Sequence, residues 1–210
     1  MFGIHDYSLF IVTSILLNLT PGPDTMYILG RSLAQGPRSG VASALGISTG
    51  CLVHTIAAAL GLSAVLMTSS SAFFVIKMLG AAYLIFLGIQ MLRSPSVLPE
   101  TRVAEDSLNY FKIFRQGVVT NVLNPKVALF FLALLPQFVS KDSPHPALAL
   151  LTLGLTFIFT GTVWCLCLAF FAGFLSDRIR RSSRLSRWIT SLAGLTFLGL
   201  GLKLAVSERT

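Results

Sequence analysis

The sequence predicts an all-α membrane protein of six transmembrane helices, built as two inverted three-helix repeats, with the first and fourth helices broken at mid-membrane. Three observations predict it. Hydrophobic residues make up 54% of the 210-residue chain and charged residues only 11%, with a mean hydropathy of +0.78. A soluble domain carries roughly 25% charged residues to cover its surface. The apolar residues fall into six segments, each near the ~20 residues that a membrane helix needs. Two of those segments are interrupted at corresponding points, by NLTPGPD (18–24) and by NPK (124–126).

The first span covers about 8–30. No Lys or Arg precedes Arg31, so there is no basic leader, and the first apolar segment is expected to be a retained span. Pro21 lies roughly 20 Å along it, well inside a hydrocarbon core about 30 Å thick. Thr20 is a favoured N-cap and proline a favoured first helical residue. Thr20-Pro21 therefore predicts a second half-helix that starts inside the membrane. The second span, about 41–67, carries a small-residue stripe of Gly46, Gly50, His54 and Ala58 at four-residue spacing, the mark of close helix packing. His54 on that stripe is a packing histidine or a proton relay. The third span covers about 72–92.

The fourth span, about 112–138, repeats the interruption: Asn124 is the expected cap and Pro125 the first helical residue. The fifth, about 147–174, carries Thr152, Thr156 and Thr160 on one face, placed for interhelical hydrogen bonds. The sixth covers about 187–206; its glycines either pack within the bundle or form the interface of a homo-oligomer. Segments 31–40 and 139–146 read as short polar loops, 93–111 as the linker between halves, and 176–187 as a basic loop.

Charge sets the expected orientation. Loops one, three and five hold eleven basic residues, among them Arg31, Arg38, Arg93, Arg115, Arg178 and Arg187. The other side holds Lys77, Lys141, Lys203 and Arg209. The positive-inside rule then predicts a multi-pass plasma (inner) membrane protein with both termini outside the cytoplasm. It also accounts for the net charge of +8 without a nucleic-acid partner.

The halves resemble each other. LGAAYLIFLGIQML (79–92) aligns with LAGLTFLGLGLKLA (192–205), and LTPGPDTMYIL (19–29) with LNPKVALFFLA (123–133). Gly46 and Gly154 mark the middle spans. A single transporter domain over 1–210 follows, with repeat one at 1–92 and repeat two at 112–206. Three spans per repeat force opposite orientations, the arrangement of secondary transporters whose substrate site lies at broken helices near the midplane.

Each break exposes free N–H groups at the positive end of a helix dipole, which attracts an anion such as a carboxylate. Gly22 would let a ligand approach the backbone. Asp24 and Lys126 are the ionisable residues at the breaks, where a charge costs about 3 kcal/mol on insertion scales. They are expected to share one site, as a structural ion pair or as the groups that handle substrate and proton. Asn18 and Asn121 either satisfy freed carbonyls or touch the ligand.

NLTPGPD and NPKVALFFLALLPQF (124–138) resemble the signatures of the LysE/RhtB family of amino-acid exporters, which includes homoserine, threonine and leucine-type efflux proteins. The resemblance covers essentially the whole chain. It implies proton-driven export of amino acids or their derivatives, no enzymatic activity and no cofactor. Its motif residues are Asn18, Thr20, Pro21, Gly22, Pro23 and Asp24, then Asn121, Asn124, Pro125 and Lys126. Three alternatives compete, of which a non-transporting scaffold would leave the charges at the breaks unexplained. An intramembrane thiol-redox carrier would need cysteines at the breaks, yet Cys51, Cys165 and Cys167 lie elsewhere and form no C-x-x-C pair. A metal-ion exporter would need clustered carboxylate or histidine ligands within the spans, where only Asp24 and His54 qualify.

Overall fold

The computed structural model describes residues 2–62, 70–93, 109–140 and 142–181, with positions 191, 195, 198–199, 201–202 and 205–206. The linker at 94–108, Lys141, the side chains of the basic stretch and most of the sixth span lie outside the described residues.

The described chain is helical, as expected. Helix α1 (Tyr7–Leu19) and helix α2 (Pro23–Gln35) flank the first break. Helix α3 (Pro37–Ala57) runs on into a π-helical turn at Ala58–Leu62, and helix α4 spans Ser70–Arg93. Helices α5 (Tyr110–Val122) and α6 (Pro125–Ala133) flank the second break, and a 3-10 turn follows at Leu135–Phe138. Helix α7 (Pro146–Arg181) leaves helical geometry at Phe171 (φ −102°, ψ 15°), close to the expected end of the fifth span.

Two of these helices, Pro37–Leu62 and Pro146–Ala172, are long and apolar enough to cross a membrane. A third span results if α5 and the segment Pro125–Phe138, bent by 49° at the break, count as one. Helix α1 is apolar but has only 13 residues, a reach of about 20 Å.

One expectation is corrected. The segment 31–40 is not a polar loop: α2 continues to Gln35 and α3 starts at Pro37. The whole reversal falls on Gly36 (φ +86°). Glycine adopts that left-handed conformation without a Cβ penalty, and Pro37 fits the first helical position.

Two apolar clusters build the core. One gathers Phe10, Phe130, Phe131, Phe138 and Phe157 with Leu150 and Leu153. Its rings meet edge to face, Phe10 to Phe138 at 5.1 Å and Phe131 to Phe157 at 5.5 Å between centroids. The other joins Ile28 and Leu29 of α2 to Ala44 and Ile47 of α3 and Leu168 and Ala169 of α7.

The small-residue stripe on α3 packs as its spacing predicts. A Cβ on Gly46 would collide with the Phe114 carbonyl, and one on Gly50 would lie 2.8 Å from Asn121 Cβ. From the facing helix, a Cβ on Gly117 would lie 3.2 Å from Gly46 Cα. Gly201 of the sixth span is likewise buried, against Ala81 and Ile85 of α4.

The N-terminal segment is clasped to the chain that follows α6. His5 N donates to Phe138 O at 3.0 Å, Ser140 N to Gly3 O at 2.8 Å, and Ile4 bridges Val139. These two segments therefore lie at the same end of the bundle.

Placing a β-branched side chain where α3 and α5 touch tests this packing. Gly46→Val is expected to cost about 1–3 kcal/mol through overpacking, read as a lowered melting temperature of detergent-solubilised protein. Gly199→Val, at a glycine with nothing within 4 Å, is expected to leave it unchanged.

Candidate functional site

The first break is set by proline. Thr20 is forced out of the helical region by Pro21 and takes an extended conformation (φ −69°, ψ 122°). Its N–H still bonds back to Leu16 O at 3.1 Å, and its hydroxyl donates to the same carbonyl at 2.8 Å. Thr20 therefore closes α1 instead of opening α2, which corrects the expected cap. The second half-helix begins two residues later, with Gly22 as N-cap, Pro23 in the first turn and Asp24 beside it.

The second break follows the expectation. Asn124 Oδ1 accepts from Lys126 N at 3.0 Å, and Pro125 occupies the first turn of α6.

The structure brings the two breaks together. Lys126 Nζ donates to Leu17 O at 3.0 Å and to Thr20 O at 2.7 Å. Those carbonyls form the negative end of the α1 dipole. Each hydrogen bond from a charged donor contributes about 1.5–3 kcal/mol, so the two together offset part of the cost of burying the charge. A Cβ on Gly22 would lie 3.5 Å from Lys126 Cδ and Nζ, so the lysine stem fills the space beside that glycine. The freed carbonyls are thus satisfied by Lys126, not by Asn18 or Asn121.

Asp24 has a different partner. Asn121 Nδ2 donates to Asp24 Oδ2 at 2.8 Å. The other oxygen, Asp24 Oδ1, is buried without a hydrogen-bond partner, as is Asn121 Oδ1. Asp24 and Lys126 do not form a direct ion pair with each other; they face one cavity from opposite breaks.

That cavity has a volume of about 50 Å³. Asn18, Thr20, Gly22, Asn124 and both charged residues line it. Asn18 Nδ2 reaches Thr160 Oγ1 at 3.3 Å. Pro21, Pro23 and Pro125 turn their rings outward and shape the backbone. His54 lies behind the cavity wall: its Nε2 is 3.1 Å from Asn121 O, and its ring packs near Phe131 at 5.8 Å. A carbonyl acceptor selects the tautomer with the proton on Nε2.

Sequence reasoning missed part of the lining. Cys51 of α3 and Cys165 of α7 both line the cavity as free thiols, although neither is near a break in sequence. Trp164 lines it too, with its indole N–H buried and without a partner. Across the α3–α7 contact, Ser48 and Thr162 hydroxyls meet at 2.7 Å. Two residues of the threonine face of α7 bond between helices as expected, Thr156 to Tyr7 OH at 2.7 Å and Thr160 to Asn18, while Thr152 bonds back to Leu148 O of its own helix. Among the described residues, no group of three or more His, Cys, Asp or Glu converges.

Residues 15–208 match the family described as LysE type translocator. An uncharacterized membrane protein of Pseudomonas aeruginosa is 32% identical over 98% of this chain and 97% of its own. The uncharacterized membrane protein YrhP of Bacillus subtilis is 30% identical over 97% of this chain and 100% of its own. The leucine efflux protein of Salmonella typhimurium is 26% identical over 99% of this chain and 98% of its own. No solved structure matches.

Lys126→Met leaves two carbonyls at the end of α1 without their donor. It is expected to destabilise the protein by about 1–3 kcal/mol and lower the melting temperature in detergent. Lys126→Arg, which keeps a cationic donor, is expected to recover most of that loss.

Proposed function

The chain belongs to the LysE family of translocators, and on that basis we propose that it exports amino acids or their derivatives from the cytoplasm, by proton antiport with alternating access. One observation carries the reading. Two acceptors with no donor, Asp24 Oδ1 and Asn121 Oδ1, are buried where two half-helix ends converge. A substrate ammonium group supplies the donors both oxygens lack. The start of α2 offers free N–H groups to the carboxylate of the same molecule, and the name of the Salmonella relative fits such a substrate.

In this scheme the ammonium group and a proton compete for the Asp24 carboxylate. A proton arriving from outside neutralises Asp24 and weakens its hold on the departing substrate. The cavity must also change size. At about 50 Å³ it is well below the ~150 Å³ that admits benzene, so it represents a contracted state with room for water. Opening would come from one repeat (1–92) rocking against the other (112–206) around the paired breaks, as in transporters of inverted-repeat design. In this reading the chain has six spans, the breaks lie within the membrane, and the bias of basic residues among the loops favours both termini outside the cytoplasm of a plasma-membrane protein.

A second reading draws on Cys51 and Cys165, whose thiols share the cavity: passage of electrons between the two sides of the membrane.

The test is uptake of radiolabelled amino acids into everted membrane vesicles made acid inside, with a panel of neutral, basic and hydroxylated substrates. Accumulation of at least one is expected, collapsing when the pH gradient is discharged. Asp24→Asn and Lys126→Ala are expected to lower the rate at least about tenfold, as loss of a charged hydrogen-bond partner does; unchanged uptake by both sinks the site assignment. Replacing all three cysteines by serine is expected to leave uptake intact, and its loss would favour the redox reading.

A further inference from the structure

A larger opening lies two turns along α2 from Asp24. It has a volume of about 620 Å³ and is walled by Tyr27 and Arg31 of α2 and by Lys112, Arg115, Gln116 and Thr120 of α5. Asp24 and Arg31 are seven residues apart, so they share a helix face about 10 Å apart. On α5, the turns before Asn121 line the same opening. The two helices thus wall both this vestibule and the cavity at the breaks.

Arg31 is the unusual group in it. It is only 8% exposed. Its guanidinium stacks over Tyr27 at 5.7 Å. Nη1 donates to Gln35 Oε1 at 3.0 Å and Nη2 to Gln116 Oε1 at 2.6 Å, both neutral amides, while Nε is buried with no partner. Among the described residues lining the vestibule there is no carboxylate. Leaving a buried donor such as the Nε–H without an acceptor is costly. Guanidinium is the side chain whose fork matches a carboxylate through two parallel hydrogen bonds. Nε and Nη2 share one edge of that fork, so a carboxylate approaching it meets the free N–H and the amino group that now holds Gln116. Arg115, placed over Phe111 at 5.9 Å, adds positive potential at the rim, which draws anions inward.

We propose that Arg31 is a carboxylate-docking site at the mouth of a passage between α2 and α5, which holds an amino-acid substrate by its carboxylate before its ammonium group reaches Asp24. The inference rests on the export reading above and adds a second, separate contact point to it. Docking also acts on the passage. Tyr27 OH to Ile113 O at 2.7 Å, Arg31 to Gln116 and Asn121 to Asp24 are side-chain links between α2 and α5. A carboxylate that takes Nη2 from Gln116 releases one of them and loosens the way inward.

The test uses the full chain in everted vesicles, with L-leucine and L-threonine as probes and L-leucinamide and L-threoninamide as competitors that keep the ammonium group but lack the carboxylate. Wild type is expected to favour acid over amide. Arg31→Gln is expected to raise the half-saturating concentration of the acid about tenfold, the loss of one charge-assisted contact, with maximal rate retained and the amide unaffected. Arg31→Lys is expected to restore part of the preference. Gln116→Ala, which frees Nη2, is expected to lower the half-saturating concentration of the acid; it serves as the deciding variant if Arg31→Gln does not accumulate in the membrane. An acid-to-amide preference unchanged by these substitutions overturns the docking site while leaving export intact. Failure of wild type to carry any amino acid of the panel overturns export itself and the docking site with it.

Discussion

The grip of Lys126 on the end of α1 is the contact on which the rest of the architecture depends. Two broken helices leave carbonyls and amides at their ends without intrahelical partners, and where these are buried the protein must supply others. Lys126 Nζ supplies donors to Leu17 O and Thr20 O, and Asn124 supplies an acceptor to the start of α6. One side chain therefore ends the first broken pair and belongs to the start of the second. The aromatic cluster around Phe10, Phe130 and Phe138 joins α1 to α6 and the 3-10 turn on the side away from that contact. Fastening by a cation also leaves the anion at the site, Asp24, with a spare oxygen.

The breaks were legible in the sequence because proline acts through its own covalent geometry. It fixes φ, lacks a donor and restricts the preceding residue, and none of this depends on distant neighbours. The stripe at Gly46 and Gly50 was legible for a related reason: small residues at four-residue spacing permit only one kind of contact. The misplaced cap at Thr20 shows the limit. NLTPGPD contains two cap-plus-proline pairs, Thr20-Pro21 and Gly22-Pro23, and a threonine hydroxyl serves a helix end as readily as a helix start. The backbone decides between them: Thr20 N–H still reaches Leu16 O, so α1 keeps Thr20. The loop expected over 31–40 failed similarly. Its polar residues describe solvation, and only Gly36 and Pro37 describe the turn.

What was not legible is the direction of long side chains and the company of apolar ones. Lys126 and Asp24 are near enough in chemistry to suggest a pair, yet each finds a better-placed partner in the other half of the chain. Cys51 and Cys165 lie within apolar segments far from either break, and their place on the cavity wall, with Trp164, follows from the packing of α3 against α7. Arg31 reads as the first basic residue of a loop and instead lies buried within α2. In each case the information is tertiary: it arises when elements far apart in the chain are set side by side.

The clasp between residues 3–5 and 138–140 fastens one end of the bundle by main chain. It couples the segment before α1 to the segment after the 3-10 turn through backbone hydrogen bonds, while the hydrogen bonds between α2 and α5 among the described residues run through side chains. Backbone pairs have little freedom to exchange partners; side chains can swing from protein to ligand in a rotamer flip. The two kinds of fastening divide the bundle: one end is tied by main chain, which holds its register, and the other by side chains, whose partners a single rotamer change can exchange.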